Sequence, residues 1–476
     1  MSKKQQISID FSNGDAAQGV TGSCIHIYSK DFSILLECGL TQTNSLKNDY
    51  YANKRKFNFS PKKLDYVFCM HLHTDHSGKL PLLYKQGCTA PLIVPADSSN
   101  ILKDMGIDSA HIMERDAKSL SMAIGKEAAA LYTEEDVYRT LSYVEEYPMN
   151  EIIKLNEYVS FRFTPSGHII CGSQIELWLT CGNTTKKIVY TSDLGNNLIP
   201  KNYVGKFEPI QKADLLIGET TYAEKGRKSA TAALRARDIE ALKSIIQSEV
   251  IEGRRRILIP VFALDRLPEM LTELYKIYGH DENFNIPILI DTPLGLKHIK
   301  SYFNILKDEQ LALLSEVFRW PNIIQVGDYS ESVGWATSSK PAIILASSGM
   351  LTAGRSLVYA EHMVNDFDAT IVFCGYSTEG SIGWKIKHPK QNKYININGK
   401  QLHNRCKVLD LHSFSSHMQY EELLKYYSGF SCSIVALVHG EMKNKIEFAA
   451  TLKEQYEKDN CSTKVCCVNK STVLKL

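Results

Sequence analysis

Four residues in one short string carry the strongest chemical signal in this chain: His71, His73, Asp75 and His76, in HLHTDHSGKLP. Imidazole nitrogens and a carboxylate are borderline donors suited to zinc or a similar transition metal. The string follows the apolar run Tyr66-Val67-Phe68-Cys69-Met70, which reads as a short buried strand. Side chains alternate along an extended segment, so His71, His73 and Asp75 are expected to project to one side. His76 is then expected to turn off the strand end, just before Ser77-Gly78. Three imidazoles and a carboxylate converging in this way predict a metal site; the plain alternative is a histidine-rich surface loop. Twelve cysteines are scattered without a CxxC pair, so a metal must rest on histidine and aspartate.

The elements that would position these residues can be read along the chain. Strands are expected at Ser23–Tyr28, Phe32–Glu37, Asp65–Met70, Leu92–Val94, Val159–Thr164, Gln174–Leu179 and Lys187–Tyr190. Between them, roughly Asp97 to Tyr147 is helix-prone, and Met122–Tyr147 is rich in Ala, Glu and Leu. After about Asp214 the texture becomes strand-helix alternation. Leu215–Glu219, Ile257–Phe262, Ile288–Ile290, Ala342–Ala346 and Thr370–Phe373 read as strands. Ile239, Leu242, Ile246 and Val250, then Leu267, Leu271, Leu274 and Tyr278, recur at helical spacing. The end returns to Ser433–Val438, a helix over Lys443–Tyr456, and Lys464–Val468.

At 476 residues the chain is long enough for two or three domains, and 44% hydrophobic with 23% charged residues is a soluble globular composition. No apolar run reaches the length of a membrane span, and MSKKQQISIDFSNGD lacks the apolar stretch of a secretory signal. A cytoplasmic protein with reduced thiols is expected. The net charge of +2 excludes a histone-like mode of nucleic-acid binding but leaves room for a local basic groove. Arg254-Arg255-Arg256 and the cluster Lys385, Lys387, Lys390 and Lys393 are candidate patches, each with a solvated face as its alternative.

Two later residues sit at strand ends: His168 in Thr164-Pro165-Ser166-Gly167-His168, and Asp193 in Tyr190-Thr191-Ser192-Asp193-Leu194-Gly195. Alone, either is an ordinary turn residue. Behind HxHxDH, in this order, they resemble the metallo-β-lactamase fold. The resemblance sharpens with Gly218-Glu219-Thr220-Thr221-Tyr222, Ile259-Pro260-Val261-Phe262-Ala263-Leu264, Ser347-Ser348-Gly349-Met350-Leu351, Phe414-Ser415-Ser416-His417 and Val438-His439-Gly440-Glu441. That series is similar to the β-CASP branch, nucleases that include ribonuclease J and the endonuclease of pre-mRNA 3′-end processing. It covers the chain from about Gly14 to Leu476.

The resemblance implies an α/β protein: a metallo-β-lactamase αββα sandwich built from both chain ends, with an α/β β-CASP domain inserted. The expected bounds are 1–208 and 399–476 for the sandwich and 209–398 for the insertion. It implies two zinc ions, one on His71, His73 and His168 and one on Asp75, His76 and His439, with Asp193 bridging. Glu219 matches the family's acidic residue at the domain junction and His417 its partner histidine, a general acid oriented by that carboxylate. Asp75 is carried over with the catalytic residues as well as with the ligands. Glu37 stands where the family usually has aspartate and is expected to orient a ligand or a bound water. Ser347, Ser348, Gly349 and Ser377 end apparent strands in turns able to offer N–H groups and hydroxyls to phosphates, with Arg355 and Lys385 as supporting charges; ordinary tight turns are the alternative.

The implied activity is two-metal hydrolysis of single-stranded RNA in a cleft between the domains, leaving 3′-hydroxyl and 5′-phosphate ends. Endonucleolytic and 5′-exonucleolytic modes both stay open, as do action as a homodimer and action within an RNA-processing complex. RNA is expected to bind chiefly through the protein's own cleft, and no membrane is involved. The rival readings are a DNA nuclease of the same fold, a small-molecule metallo-hydrolase and a non-catalytic partner subunit. His439 favours RNA, the large insertion and FSSH disfavour a small substrate, and retention of every ligand disfavours an inactive subunit. His412, five positions before His417, is expected to have a structural or surface role. His26, His111, His280, His298, His362, His388 and His403 carry no motif.

Overall fold

A computed structural model describes residues 6–43, 45–227, 229–375 and 377–476. The chain divides into two compact units: residues 1–197, 204–229 and 416–476 form the first, and 198–203 with 230–415 the second. Both differ from the expected bounds of 209 and 398, for a reason visible in the pairing. Leu215–Glu219 lies between Thr184–Tyr190 and Ile434–Val438 in a sheet of the first unit, so after the short excursion of 198–203 the chain is still in that unit at 209. Lys407–Asp410 pairs with Thr370–Phe373 in the second unit's sheet, so it has not returned by 398.

The first unit contains two seven-stranded sheets. One runs Val473–Lys475, Ser8–Asp10, Ile25–Tyr28, Ser33–Leu36, Tyr66–Phe68, Leu92–Pro95 and Val144–Tyr147, so the two ends of the chain lie side by side in it. The other runs Lys464–Cys467, Ile434–Val438, Leu215–Glu219, Thr184–Tyr190, Ser173–Cys181, Val159–Pro165 and Ile153–Lys154. Alternate side chains of both meet in one core, in which Ile9, Ile27, Ile34 and Phe68 share a cluster with Phe161, Phe163, Leu177 and Ile188. Phe161 packs edge-on to Phe68 at 5.1 Å and to Phe163 at 5.1 Å. On the outer face of the second sheet, helices Tyr420–Ser428 and Met442–Lys458 cover Val189, Leu216, Val435 and Leu437.

One helical expectation fails. Ser99–Ile124 is helical and ends at Gly125 in the left-handed region, φ 70°. A second helix, Glu134–Leu141, starts from a reciprocal Thr133–Asp136 cap. The expected helical run to Tyr147 then breaks, because Val144–Tyr147 is an edge strand parallel to Leu92–Pro95. Edge pairing overrides the helix propensity of its two glutamates.

The second unit is a parallel sheet in the order Ile323–Gln325, Ile288–Asp291, Ala342–Ala346, Arg256–Pro260, Thr370–Phe373, Lys407–Asp410. Its central strands are apolar on both sides because both faces are covered. Ile257, Ile259, Ile343 and Leu345 pack on helix Arg266–Tyr278, whereas Leu258, Ile344 and Ala346 face helix Arg355–Met363. The helix carrying Leu242 ends in a wider π-helical segment, Ile246–Glu252, before Gly253.

Because Phe161 is fully buried at the junction of both sheets of the first unit, Phe161→Ala is expected to cost about 3–5 kcal/mol. The measurement is the denaturant midpoint of the full chain; a loss under 1 kcal/mol, roughly that of a surface site, would show that this cluster does not carry the sandwich.

Candidate metal centre

The histidine-rich string does not continue the strand as expected. Tyr66–Phe68 ends early, His71 and His73 lie in the extended exit, and Thr74–Ser77 is one turn of helix with His73 as its cap. His76 N–H and Ser77 N–H both donate to the His73 carbonyl, and the Ser77 hydroxyl closes on Leu72 and His73. Asp75 therefore leaves the side shared by His71 and His73 and sits on the turn beside His76. A strand-to-helix switch thus separates one string into two donor pairs.

Each pair meets a partner from elsewhere in the first unit. One nitrogen each from His71, His73 and His168 lie within 4.8 Å of one another, and so do donor atoms of Asp75, His76 and His439. His168 follows the Val159–Pro165 strand, and His439 follows Ile434–Val438 with φ 52°. Asp193, at the end of Thr184–Tyr190, stands between the groups. Its Oδ2 lies 3.4 Å from His76 Nε2 and 3.8 Å from both His71 Nε2 and His168 Nε2, while Oδ1 lies 3.4 Å from His439 Nδ1. Asp193 Oδ1 and the Nε2 atoms of His73, His76 and His439 are buried and make no hydrogen bond among the described residues. Buried donors without partners are costly, so this set fits a metal that would take those lone pairs.

The electrostatics divide the histidines into two kinds. Burial, reinforced by neighbouring imidazoles, holds His71 and His168 well below the ordinary histidine range, and burial also lowers His73. Neutral imidazole is the ligating form. His76 behaves oppositely: burial opposes its charge, but Glu37, Asp193 and Asp75 hold it well above that range. Asp193 is held well below the usual carboxylate range although burial opposes its charge, because His439 and His76 face it.

Glu37 is wholly buried. Its Oε2 faces His76 Nδ1 at 2.6 Å and accepts from the Tyr190 hydroxyl at 2.6 Å; its Oε1 accepts from the Ser192 hydroxyl at 2.7 Å. Its contact is thus to a histidine ring, fixing which nitrogen faces inward. Tyr190 and Ser192 escaped sequence reasoning, although both lie within three positions of Asp193. Thr221 escaped it too; its hydroxyl is 2.9 Å from His439 Nδ1.

Glu219 Oε1 accepts from Leu194 N–H at 3.1 Å and Oε2 from Thr221 N–H at 2.7 Å, so its carboxylate is locked. His417 Nδ1 lies 3.6 Å from Oε1, too far for a hydrogen bond. The His417 ring packs 4.2 Å from His168 and 5.1 Å from Tyr222. His417 also groups with His168 and Asp193, and Glu219 with Asp193 and His439, at ligand spacing. His412 is exposed and belongs to the second unit.

The predicted substrate-binding residues all lie in the second unit. Ser347, Ser348 and Gly349 follow Ala342–Ala346; the Ser348 hydroxyl accepts from Thr352 and Ala353 N–H groups. A Cβ on Gly349 would stand 2.8 Å from the Phe262 ring, so packing already favours glycine there. Arg355 donates to the Asp328 carbonyl and to the Ser332 hydroxyl and lies 3.8 Å from Asp291, which ties its guanidinium into its own unit. Ser377 is buried, its hydroxyl without a hydrogen bond among the described residues, and Lys385 is half-buried on helix Ile382–Lys387. Tyr376, in the same loop, lies outside the described residues.

The matches to known families follow this division. Residues 17–138 match the Metallo-beta-lactamase superfamily, 268–386 the Beta-Casp domain, and 402–463 the Zn-dependent metallo-hydrolase RNA specificity domain. The chain belongs to the β-CASP branch of the metallo-β-lactamase superfamily. It is a metal-dependent hydrolase by that membership. It is 28% identical to Ribonuclease TTHA0252 of Thermus thermophilus, over 90% of this chain and 92% of that protein. It is 26% identical to Transcription termination factor FttA of Methanocaldococcus jannaschii, over 95% of this chain and 70% of the factor. Its fold resembles that of a protein of unknown function from Enterococcus faecalis V583, with a TM-score of 0.52 and 13% identity over 99% of this chain and 100% of that one.

Metal-free protein offers a direct test of Glu37. A base held more strongly protonated in the fold stabilises it fully below its unfolded value, about 6.5, and loses that contribution as pH rises through its folded value. Glu37→Gln removes the charge that holds His76 protonated, so it is expected to cost about 1–3 kcal/mol at pH 6 and less at alkaline pH. Urea melts of chelator-treated protein at the two pH values check this; an equal loss at both would mean that Glu37 acts through hydrogen bonding alone.

Proposed function

We propose that this protein is a zinc-dependent ribonuclease that hydrolyses phosphodiester bonds of single-stranded RNA. The observation that carries the reading is Asp193, one buried carboxylate flanked by two histidine-rich donor sets. In this reading His71, His73 and His168 hold one zinc, Asp75, His76 and His439 a second, and Asp193 both. Bound there, two zinc ions would supply an acidified water and neutralise charge on the scissile phosphate. Glu37 keeps His76 turned with Nε2 inward, and Thr221 does the same for His439 through Nδ1. His417, in this reading, gives a proton to the leaving sugar oxygen. Glu219, whose carboxylate is fixed by two backbone N–H groups, stands 3.6 Å from that ring and would orient it. The RNA substrate is supported by the matched RNA specificity domain and by the likeness to a ribonuclease. Products would carry 3′-hydroxyl and 5′-phosphate ends.

Elemental analysis tests the ligand assignment. Wild-type protein is expected to hold about two zinc ions per chain; Asp193→Ala should lose metal and His417→Ala should keep it. Equal loss in both variants would make His417 a ligand, a role its spacing to His168 and Asp193 also permits.

Single-turnover kinetics test the chemistry. His417→Ala and Glu219→Gln are each expected to slow RNA cleavage at least ten-fold, with the double variant no slower than about the worse single one, because the two act as one unit. His412→Ala should be near wild type. Single-stranded DNA of the same sequence should be cut more slowly than RNA, and faster DNA cleavage would move the protein to DNA processing.

A further inference from the structure

Between Glu379 and Asp410 the chain carries seven lysines and arginines and no carboxylate, against a net charge of +2 for all 476 residues. Within this stretch Tyr394–Ile397 and Lys400–His403 form a two-stranded hairpin of the second unit. Strand alternation sets its two faces: Ile395 and Ile397 are buried in the core, so Tyr394 and Asn396 must point outward. Tyr394 is 54% exposed, with Lys393 Nζ 5.9 Å from its ring centre and His403 edge-on at 5.0 Å. Nearby in the chain, Arg405 lies over the ring of Phe367, which is 59% exposed, at 4.4 Å.

The cations here are not all used up by the fold. Lys387 pairs with Asp410, Lys400 with Glu361 and Lys407 with Glu249. Lys390 and Lys393 are exposed and form no ion pair among the described residues. The arginine triplet is different: Arg255 bonds Glu249 and Asp368, and Arg256 donates to the carbonyls of Trp335 and Ala336. Two of the three arginines of that patch are held by the fold, whereas Lys390 and Lys393 of the hairpin surface are not.

We propose that this basic hairpin surface binds single-stranded RNA, with a base stacked on Tyr394 and flanking phosphates held by Lys390 and Lys393. The proposal rests on the RNA reading above and adds a surface outside the metal centre and outside the strand-end turns. An acidic protein face would need the cations alone. An outward ring bordered by cations and by exposed Gln391, Asn396 and Gln401 is the combination that single strands use, stacking for the bases and charge for the backbone. Because the polar surface is sequence-tolerant, it would hold RNA without choosing the cleavage position.

The test is fluorescence anisotropy of the chelator-treated full chain with labelled single-stranded poly(U), across a range of salt. K390Q/K393Q is expected to weaken binding about ten-fold and to reduce the salt slope by about 1.4, two phosphate contacts at about 0.7 each. Tyr394→Ala should weaken it about five-fold or more, and Tyr394→Phe should restore it. Melting curves check folding, and these side chains are exposed, so no loss of fold is expected. Unchanged affinity and slope in both variants would overturn the proposal. So would a polyglutamate peptide that binds wild type as tightly as RNA, loses affinity in K390Q/K393Q and ignores Tyr394→Ala, which would mark an acidic-protein face. Metal-loaded wild type is assayed for RNA cleavage in parallel. Binding lost in the variants with no cleavage by wild type would sink the nuclease reading and keep the surface; cleavage by wild type with binding intact in the variants would do the reverse.

Discussion

Asp193 is 2% exposed, and a carboxylate so far from water is tolerable only if positive or polarisable partners surround it. Those partners come from three separate places: the His71–His76 string after the Tyr66–Phe68 strand, the turn after Val159–Pro165, and the loop after Ile434–Val438. None of these segments could satisfy the aspartate alone. The two sheets of the sandwich must therefore deliver strand ends to one point. The placement of Leu215–Glu219 between Thr184–Tyr190 and Ile434–Val438 follows from the same demand: this strand sets the Asp193 and His439 loops at a fixed separation.

How much was legible depends on how local each signal was. His71, His73 and His76 could be read from spacing alone because one short string holds them. His168, Asp193 and His439 are single residues at strand ends, and only the resemblance singled them out; the structure brings all three to the same place. Asp75 was misplaced because strand alternation was carried one turn too far, past the hydrogen bonds that His73 accepts as a helix cap. The hydroxyls of Tyr190 and Ser192 on Glu37 were invisible, since they lie more than 150 positions away in sequence. Such long-range pairs have no periodicity to betray them.

The second unit shows the converse. Ala342–Ala346 is apolar throughout and Thr370–Phe373 is apolar after its first residue, and both could be bounded to the residue, because a strand covered on both faces is written in near-continuous hydrophobics. Lys407–Asp410 has an exposed, polar pattern and stayed hidden, so the return point of the chain was placed too early. Gly349 teaches a related lesson. Glycine in a strand-end turn suggests a backbone that must approach a phosphate, yet here the Phe262 ring already fills the space a Cβ would need. Packing explains the residue without a ligand.

The glutamate at position 37 is tied to the way the loops of the centre meet. Cys38 N–H donates to the His76 carbonyl at 2.8 Å and Leu40 N–H to Thr74 at 2.9 Å. A Cβ on Gly39 would stand 1.6 Å from the Asp75 carbonyl oxygen, so these two backbones are in direct contact and neither can withdraw. The backbone of residue 37 itself is in the left-handed region, φ 59°. With both ends of the span fixed, only side-chain length can adjust, and Glu37 meets His76 Nδ1 at 2.6 Å. An aspartate on the same backbone would be shorter by about one bond, ~1.5 Å, and would leave His76 and the Tyr190 hydroxyl beyond hydrogen-bonding reach. The longer residue is therefore the one this packing requires: its carboxylate turns His76 so that the other ring nitrogen faces Asp193.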